Sequence, residues 1–424
     1  DAYHIDHEKR KIFLIQSKFR TTDENFEVKP ITADELVRMD IGFIIKGKTR
    51  DNAGKNFNDK VLGFQKKLQS ISDIARYEYV VILLANLTKY SDSQIRQLIG
   101  GFDYEIFDFN RTYEELVFFI CSGTYYDPTE IKIPISLSKK GQPNLAQTID
   151  TKYGSCDITV IYVPTLEIAR ILHKYKNSIL RYNPRNYLSL ARNPVNKKIR
   201  ETITDHTTND FAILNNGITI LADEVSISQS TGKENTGQLI LTNPQIINGG
   251  QTAYTLSQIY EMELEANPNI FDGKEVMLRI VTLEDTSRGN IAFIEMVSNS
   301  TNQQTRVKEA DRRSNSDMLI RMQKLIFKEY GYFFERKEGE FYNGLSGKLL
   351  EKSFVIDRSD LLKAYLAYSG EPSSTRSKGE GYLFSEGHIK KLFPDHRHYR
   401  HVFLAIRLYA QLKVFSRLHK RGKM

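Results

Sequence analysis

Residues Asp1–Phe19 read DAYHIDHEKRKIFLIQSKF. Two runs of alternating apolar residues, Asp1–Asp6 and Lys11–Lys18, flank the polar stretch His7–Arg10. That is the pattern of a β-hairpin. A four-residue turn pairs Asp6 with Lys11. Counting outward, Ile5 meets Ile12, Tyr3 meets Leu14 and Asp1 meets Gln16. Directly opposed residues share one face, and a period of two adds Lys18 to the face of Gln16. Asp1, Gln16 and Lys18 are therefore predicted to converge. Asp6 falls on the other face as a turn-flanking charge. An acid, an amide and a lysine in one place suit phosphodiester hydrolysis: the acid holds a divalent metal, and the lysine steadies developing negative charge or orients water. The same pattern also fits an exposed hairpin with a cross-strand polar pair.

Outward from the hairpin, residues 32–75 are polar and helix-prone, with a loop at Gly47–Lys55. Tyr77–Ala85 reads as a buried strand, Ser91–Ile99 as a helix, Tyr104–Phe109 as a strand and Tyr113–Cys121 as a helix. Alternation of this kind predicts an α/β domain over residues 1–125. Residues 126–310 read as a mixed α+β core, and residues 311–424 as a helical region with a basic end. Within the core, Thr165–Leu180 has helical spacing. Phe211–Leu221, Leu239–Leu241, Ile246–Ile247 and Val276–Leu283 read as strands. Gly370–Gly381 reads as a linker or loop, and His398–His419 as a closing helix.

With 424 residues, 40% hydrophobic and 26% charged, the chain can bury two or three cores. No apolar run is long enough to span a membrane. Cys121 and Cys156 are too few for a disulfide framework and no secretory signal is visible, which predicts a cytoplasmic protein. The chain starts inside a strand at Asp1, so further residues are expected upstream. The formal charge is +8. Ser385–Met424 holds ten Lys/Arg against Glu386 and Asp395, so the whole excess sits there. Arg400, Arg407, Lys413, Arg417 and Lys420 recur at spacings that a helix brings near one surface, a candidate contact for nucleic-acid phosphates. A solvated helix face is the plainer reading. His388, His396, His398 and His401 lie among these residues without a dense carboxylate or cysteine cluster, and read as basic surface rather than metal ligands.

Four polar motifs lie between: NDFAILNNGITILA (Asn209–Ala222), NPQIINGGQTAYTL (Asn243–Leu256), NSTNQQTRVKEADRRSN (Asn299–Asn315) and YFFERKEGEFY (Tyr332–Tyr342). Asn216-Gly217 suits a turn. Asn248-Gly249-Gly250-Gln251-Thr252 follows a strand-like pair and precedes a helix-like run. A Gly-rich turn there either caps the helix or presents backbone N–H groups to an anion. There is no P-loop pattern.

Two resemblances follow. Asp1 with IFLIQSKF (Ile12–Phe19) resembles the D…(D/E/Q)xK signature of restriction-endonuclease-like nucleases, in a Q-x-K variant. It implies Asp1 as metal ligand, Gln16 as the metal-side polar residue, Lys18 as catalytic lysine, the Ser17 carbonyl as a further ligand, and Mg2+ or Mn2+ as cofactor. The helix and strand that often precede this signature are absent. The order and wording of the central motifs, over roughly Tyr162 to Tyr342 and beginning with RYNPRNYL (Arg181–Leu188), are similar to the AIPR family, named for abortive infection and phage resistance. The INGGQT turn is also similar to turns of ParB-like nucleotide-binding proteins, which implies a possible nucleotide. Together these imply a metal-dependent DNA endonuclease in anti-phage defence, gated by the AIPR region, with DNA and a phage-derived trigger as partners and a homodimer as a possible assembly. The alternatives are a non-catalytic nucleotide- or trigger-binding sensor and an RNA-cleaving toxin.

Overall fold

The computed structural model describes residues 2–7, 9–22, 25, 28–137, 145–151, 154–183, 195–204, 208–229, 232, 234–283, 314–393 and 398–420. The chain divides into two compact units, Asp1–Val117 and Phe118–Met424.

In the first unit, β1 (Ala2–Asp6) pairs antiparallel with β2 (Lys11–Lys18) in the register that the turn count requires: Ile5 opposite Ile12, Tyr3 opposite Leu14, Asp6 opposite Lys11. Asp6 closes the turn by accepting a hydrogen bond from the Lys9 backbone N–H at 2.9 Å. Parallel strands β3 (Glu78–Ala85) and β4 (Asp103–Phe107) complete a sheet in the order β1-β2-β3-β4. Parallel neighbours need crossovers, and helices supply them. Ahead of β3 lie α1 (Ile41–Ile45) and α2 (Asp59–Gln69); α2 is capped by the Asn58 side chain. Between β3 and β4 lies α3 (Asp92–Ile99), which starts in a Ser91/Gln94 capping box and ends at left-handed Gly100. Ile12, Leu14, Val81 and Leu83 pack against Phe64, Leu68, Ile95 and Ile99 in one core. A helical turn Phe109–Thr112 and a π-helical turn Tyr113–Val117 close the unit.

The second unit opens with the helical turn Phe118–Ser122. The Phe118 ring lies 5.2 Å from Phe327 and 5.6 Å from Phe341, which ties it to this unit's aromatic core. Strand β5 is Glu130–Ser136, β6 Leu145–Thr151 and β7 Gly154–Pro164. Helices α4 (Thr165–Tyr175) and α5 (Val195–Thr204) come next, then α6 (Phe211–Leu214). Strands β8 (Ile218–Ala222), β9 (Glu224–Ser228), β10 (Thr236–Thr242) and β11 (Gln245–Asn248) lead into α7 (Gly250–Glu263) and β12 (Glu275–Leu283). A five-stranded mixed sheet runs β11-β8-β12-β7-β6, and a three-stranded antiparallel sheet runs β5-β10-β9. Helices α4 and α7 cover the larger sheet through Ile168, Leu172, Leu256 and Ile259. The helical part holds α8 (Asp317–Tyr330), the parallel pair β13 (Phe333–Glu335) and β14 (Val355–Asp357), and α9 (Arg358–Tyr368). Helices α10 (Pro372–Ser377), α11 (Glu380–Leu383), α12 (Glu386–Leu392) and the 23-residue α13 (His398–Lys420) finish the chain.

Two expectations are corrected. Phe211–Leu214 is a helical turn, not the start of a strand, and only Ile218 onward joins the sheet. Gly370–Gly381 is not a plain linker, because Pro372 sits at the first positions of a helix, where its missing N–H does no harm.

Candidate functional site

Along β2, Ile12, Leu14 and Gln16 are buried while Lys11, Phe13 and Ile15 are half-buried, so Gln16 shares the core-facing side. Its Nε2 donates to the Val37 carbonyl at 3.0 Å, which fixes the side chain. Lys18, two residues on, has the same strand parity but is exposed, at the end of β2 that pairs with Ala85 of β3. Ser17 is exposed and registers with Leu84. Asp1 lies outside the described residues. The loop that offers Val37 is anchored by Arg20, whose guanidinium holds the Glu35 carboxylate at 2.7 and 2.9 Å and the carbonyls of Lys29 and Pro30. The Arg20 hydrogen bond holds the Glu35 carboxyl below the usual carboxylate range.

In the second unit, the two Asn/Gly turns stand against each other. Asn215, just past α6, accepts from the Gly217 N–H at 3.0 Å and donates to Thr252 Oγ1 at 3.0 Å. Gly217 has φ +76°, and a Cβ there would stand 2.7 Å from the Met277 carbonyl oxygen. Gly249 has φ +79°, and a Cβ there would stand 2.8 Å from the Gly217 carbonyl oxygen. Only glycine fits either position, since a side chain would meet backbone that cannot move aside. Asn216 is exposed, Asn248, Gly249 and Gln251 are half-buried, and Gly250 and Thr252 are buried at the start of α7. The Gly249 N–H is taken by Asn248 Oδ1 at 2.7 Å. The turn is thus a strand-to-helix junction, as its sequence suggested.

Among the described residues, the YFFERKEGEFY motif, given no role from sequence, holds the densest buried charge. Arg336 donates to Gln323 Oε1 at 2.7 Å, to the Ser314 carbonyl at 2.8 Å and to Glu340 Oε1 at 2.7 Å. Buried Lys337 donates to the carbonyls of Leu180, Arg181 and Asn183 at 3.3, 2.8 and 2.7 Å. That stretch is pinned in turn to β11: the Arg181 N–H donates to Gln245 Oε1 at 3.0 Å, and Asn183 Nδ2 to the Ile246 carbonyl at 3.3 Å. Motifs more than 150 residues apart are therefore joined through one ammonium group. Glu335 is buried, and burial pushes its carboxyl up to about 7 despite Lys352 and the Gly339 N–H; repulsion from Asp357 and Glu340 adds to the rise. It is the carboxyl here poised to exchange a proton near neutrality. The sequence signal was a run of alternating charges inside an aromatic frame, but its partners are distant in the chain. Residues Asn299–Arg313 lie outside the described residues.

On α13, Arg400 pairs with Glu329 at 3.4 Å, Lys413 pairs with Asp360 at 2.7 Å, and Arg407 lies over the Tyr332 ring with its centroid 4.9 Å away. The side chains of Arg417 and Lys420 lie outside the described set. His388 is buried against the Tyr382 ring. Among the described residues, no group of three or more His, Cys, Asp or Glu is arranged to hold a metal ion, and no helix is long and apolar enough to cross a membrane.

A family model described as AIPR protein matches residues 180–424. It takes in both Asn/Gly turns, the Lys337 network and α13. Neither the curated proteins nor the solved structures give a match.

Proposed function

Since the chain belongs to the AIPR protein family, which points to a role in anti-phage defence, we propose that its first unit is a Mg2+-dependent endonuclease acting on DNA, with the family-matched region as its regulatory or sensing part. The observation that carries the reading is the end of β2. An exposed lysine and a fixed, buried glutamine share one strand parity there, both in register with the parallel strand β3.

The donor types fit a hard cation. With Nε2 committed to Val37, Gln16 has Oε1 to offer, and the Ser17 carbonyl and the Asp1 carboxylate are the other oxygens of the proposed set. Since the described residues hold no metal cluster of their own, the proposal depends on Asp1 or on acids outside the described set. A bound metal would polarise the phosphate and make water a better nucleophile. Lys18 is a compact cation on a mobile stem, suited to hold the negative charge that develops on the phosphate or to orient the attacking water. Gln16 is locked by packing and by Val37, so its oxygen needs no reorganisation to serve.

The test is cleavage of supercoiled DNA, linear DNA and RNA by the full chain with Mg2+ or Mn2+. Lys18→Ala should cut DNA at least about 100-fold more slowly, with unfolding unchanged to about 0.5 kcal/mol because the residue is exposed, and EDTA should stop the parent. Equal cutting by Lys18→Ala moves the chemistry elsewhere. Cleavage of RNA alone makes the protein a toxin of the same chemistry. A parent that cuts nothing but binds a nucleotide or a phage-derived trigger favours the sensor reading, to which the facing Asn/Gly turns lend support.

A further inference from the structure

Helix α13 separates its residues by heptad position. Tyr399, Val402, Phe403, Ala405 and Ile406 are buried against α9 and α8. On the opposite side, Leu404, Leu408, Leu412 and Phe415 are 52–60% exposed. Five large apolar side chains exposed on one helix, counting Val414, are far more than scattered surface hydrophobics. His401, Leu404, Leu408, Gln411, Phe415 and, in sequence, Leu418 follow one another at spacings of three and four. That is the a/d seam of a coiled coil, presented outward by a helix already docked through its other face.

We propose that this seam pairs with the same seam of a second copy of the chain, in parallel, about a two-fold axis. Three observations favour a second copy over a lipid or nucleic-acid surface. First, Gln411 sits in the middle of the stripe. An amide is both donor and acceptor, so it is self-complementary when two copies face each other, whereas a lipid surface would leave it unsatisfied. Second, the described flanking positions bring no like charges together, since Arg407 would face Leu412. Third, the cations beside the stripe already have partners in their own unit, Arg400 in Glu329 and Arg407 in Tyr332, which weakens them as anchors for an anionic surface. The pairing is isologous, so it closes at two copies and does not propagate. The seam is only about two and a half heptads long, so the dimer should depend on concentration.

The proposal stands apart from the nuclease reading and is tested without it. Sedimentation of the full chain across a hundred-fold concentration range should give a mass rising towards twice the monomer. Leu404→Glu with Leu408→Glu should stay monomeric at every concentration and keep the Tm that the parent shows when dilute, because both positions are exposed. Gln411→Cys should give a covalent dimer on mild oxidation, since a parallel two-fold axis sets identical residues side by side; Cys121 and Cys156 are buried and should not compete. A parent that stays monomeric throughout overturns the proposal. So does binding to phosphatidylglycerol vesicles that the double Glu variant loses while the parent's mass stays that of one chain.

Discussion

At the scale of single residues, Glu335 gives the sharpest test. Its carboxyl stays protonated in the folded chain up to about pH 7, whereas the ordinary value is 4.5. Between those values the folded state holds more protons than the unfolded one. Stability is therefore greatest below the window and falls as pH rises through it. The shift corresponds to something on the order of 3 kcal/mol once the group is ionised. Glu335→Gln keeps the shape and an acceptor for the Gly339 N–H but cannot ionise. Its Tm should match the parent at pH 4.5 and exceed it by several degrees at pH 8, measured by calorimetry across that range. A Tm difference that does not change with pH would show that Glu335 titrates normally. Residues such as this one were invisible in the sequence because a raised pKa comes from burial and from neighbours such as Asp357, and neither is written in the local pattern. Gln16 was legible as a face-sharing partner of Lys18, since strand parity is a local rule. Its tie to Val37 was not, since that depends on how the following loop folds back.

At the scale of elements, the sequence told most where local chemistry permits one answer. The hairpin register followed from a turn of even length, and the INGGQT run announced a strand, a tight turn and a helix start. The apolar run Phe211–Leu214 reads as a strand only where all of it is buried. Ile213 and Leu214 are 86% and 69% exposed, so nothing forces that segment into the sheet. The glycines of the two facing turns carry a prediction. Gly249→Ala meets both the left-handed conformation, which costs about 1–2 kcal/mol, and the Gly217 carbonyl 2.8 Å away. Gly273 has φ +69° with nothing within 4 Å of a Cβ, so Gly273→Ala meets the first penalty alone. Urea unfolding of the two variants should place Gly249→Ala clearly below Gly273→Ala. Equal losses would mean that the turns are free to move apart.

At the scale of the whole molecule, the question is where a polyanion would sit. The net +8 is concentrated in Ser385–Met424, but charge counted along a chain is not charge presented to a ligand. Arg400, Lys413 and Lys391 each have an acidic partner, Glu329, Asp360 and Glu371. Such half-exposed pairs are worth only about 0–1 kcal/mol, so a phosphate can replace the carboxylate. Each replacement then has a smaller net salt dependence than contact by a free cation, because the freed carboxylate regains counterions as the phosphate loses them. In sequence, Lys413, Arg417 and Lys420 follow one another at four and three residues, at heptad positions other than those of Leu404, Leu408 and Phe415. Reversing Arg407, Lys413, Arg417 and Lys420 to Glu should weaken DNA binding and flatten its log–log salt dependence. With Lys413 paired to Asp360, the flattening should correspond to about three phosphates rather than four, at roughly 0.9 in slope for each. The measurement is a DNA titration of the parent and the four-Glu variant at several salt concentrations. A slope that does not change would remove α13 from the DNA contact. A change near four phosphates would mean that the Lys413–Asp360 pair is absent in solution.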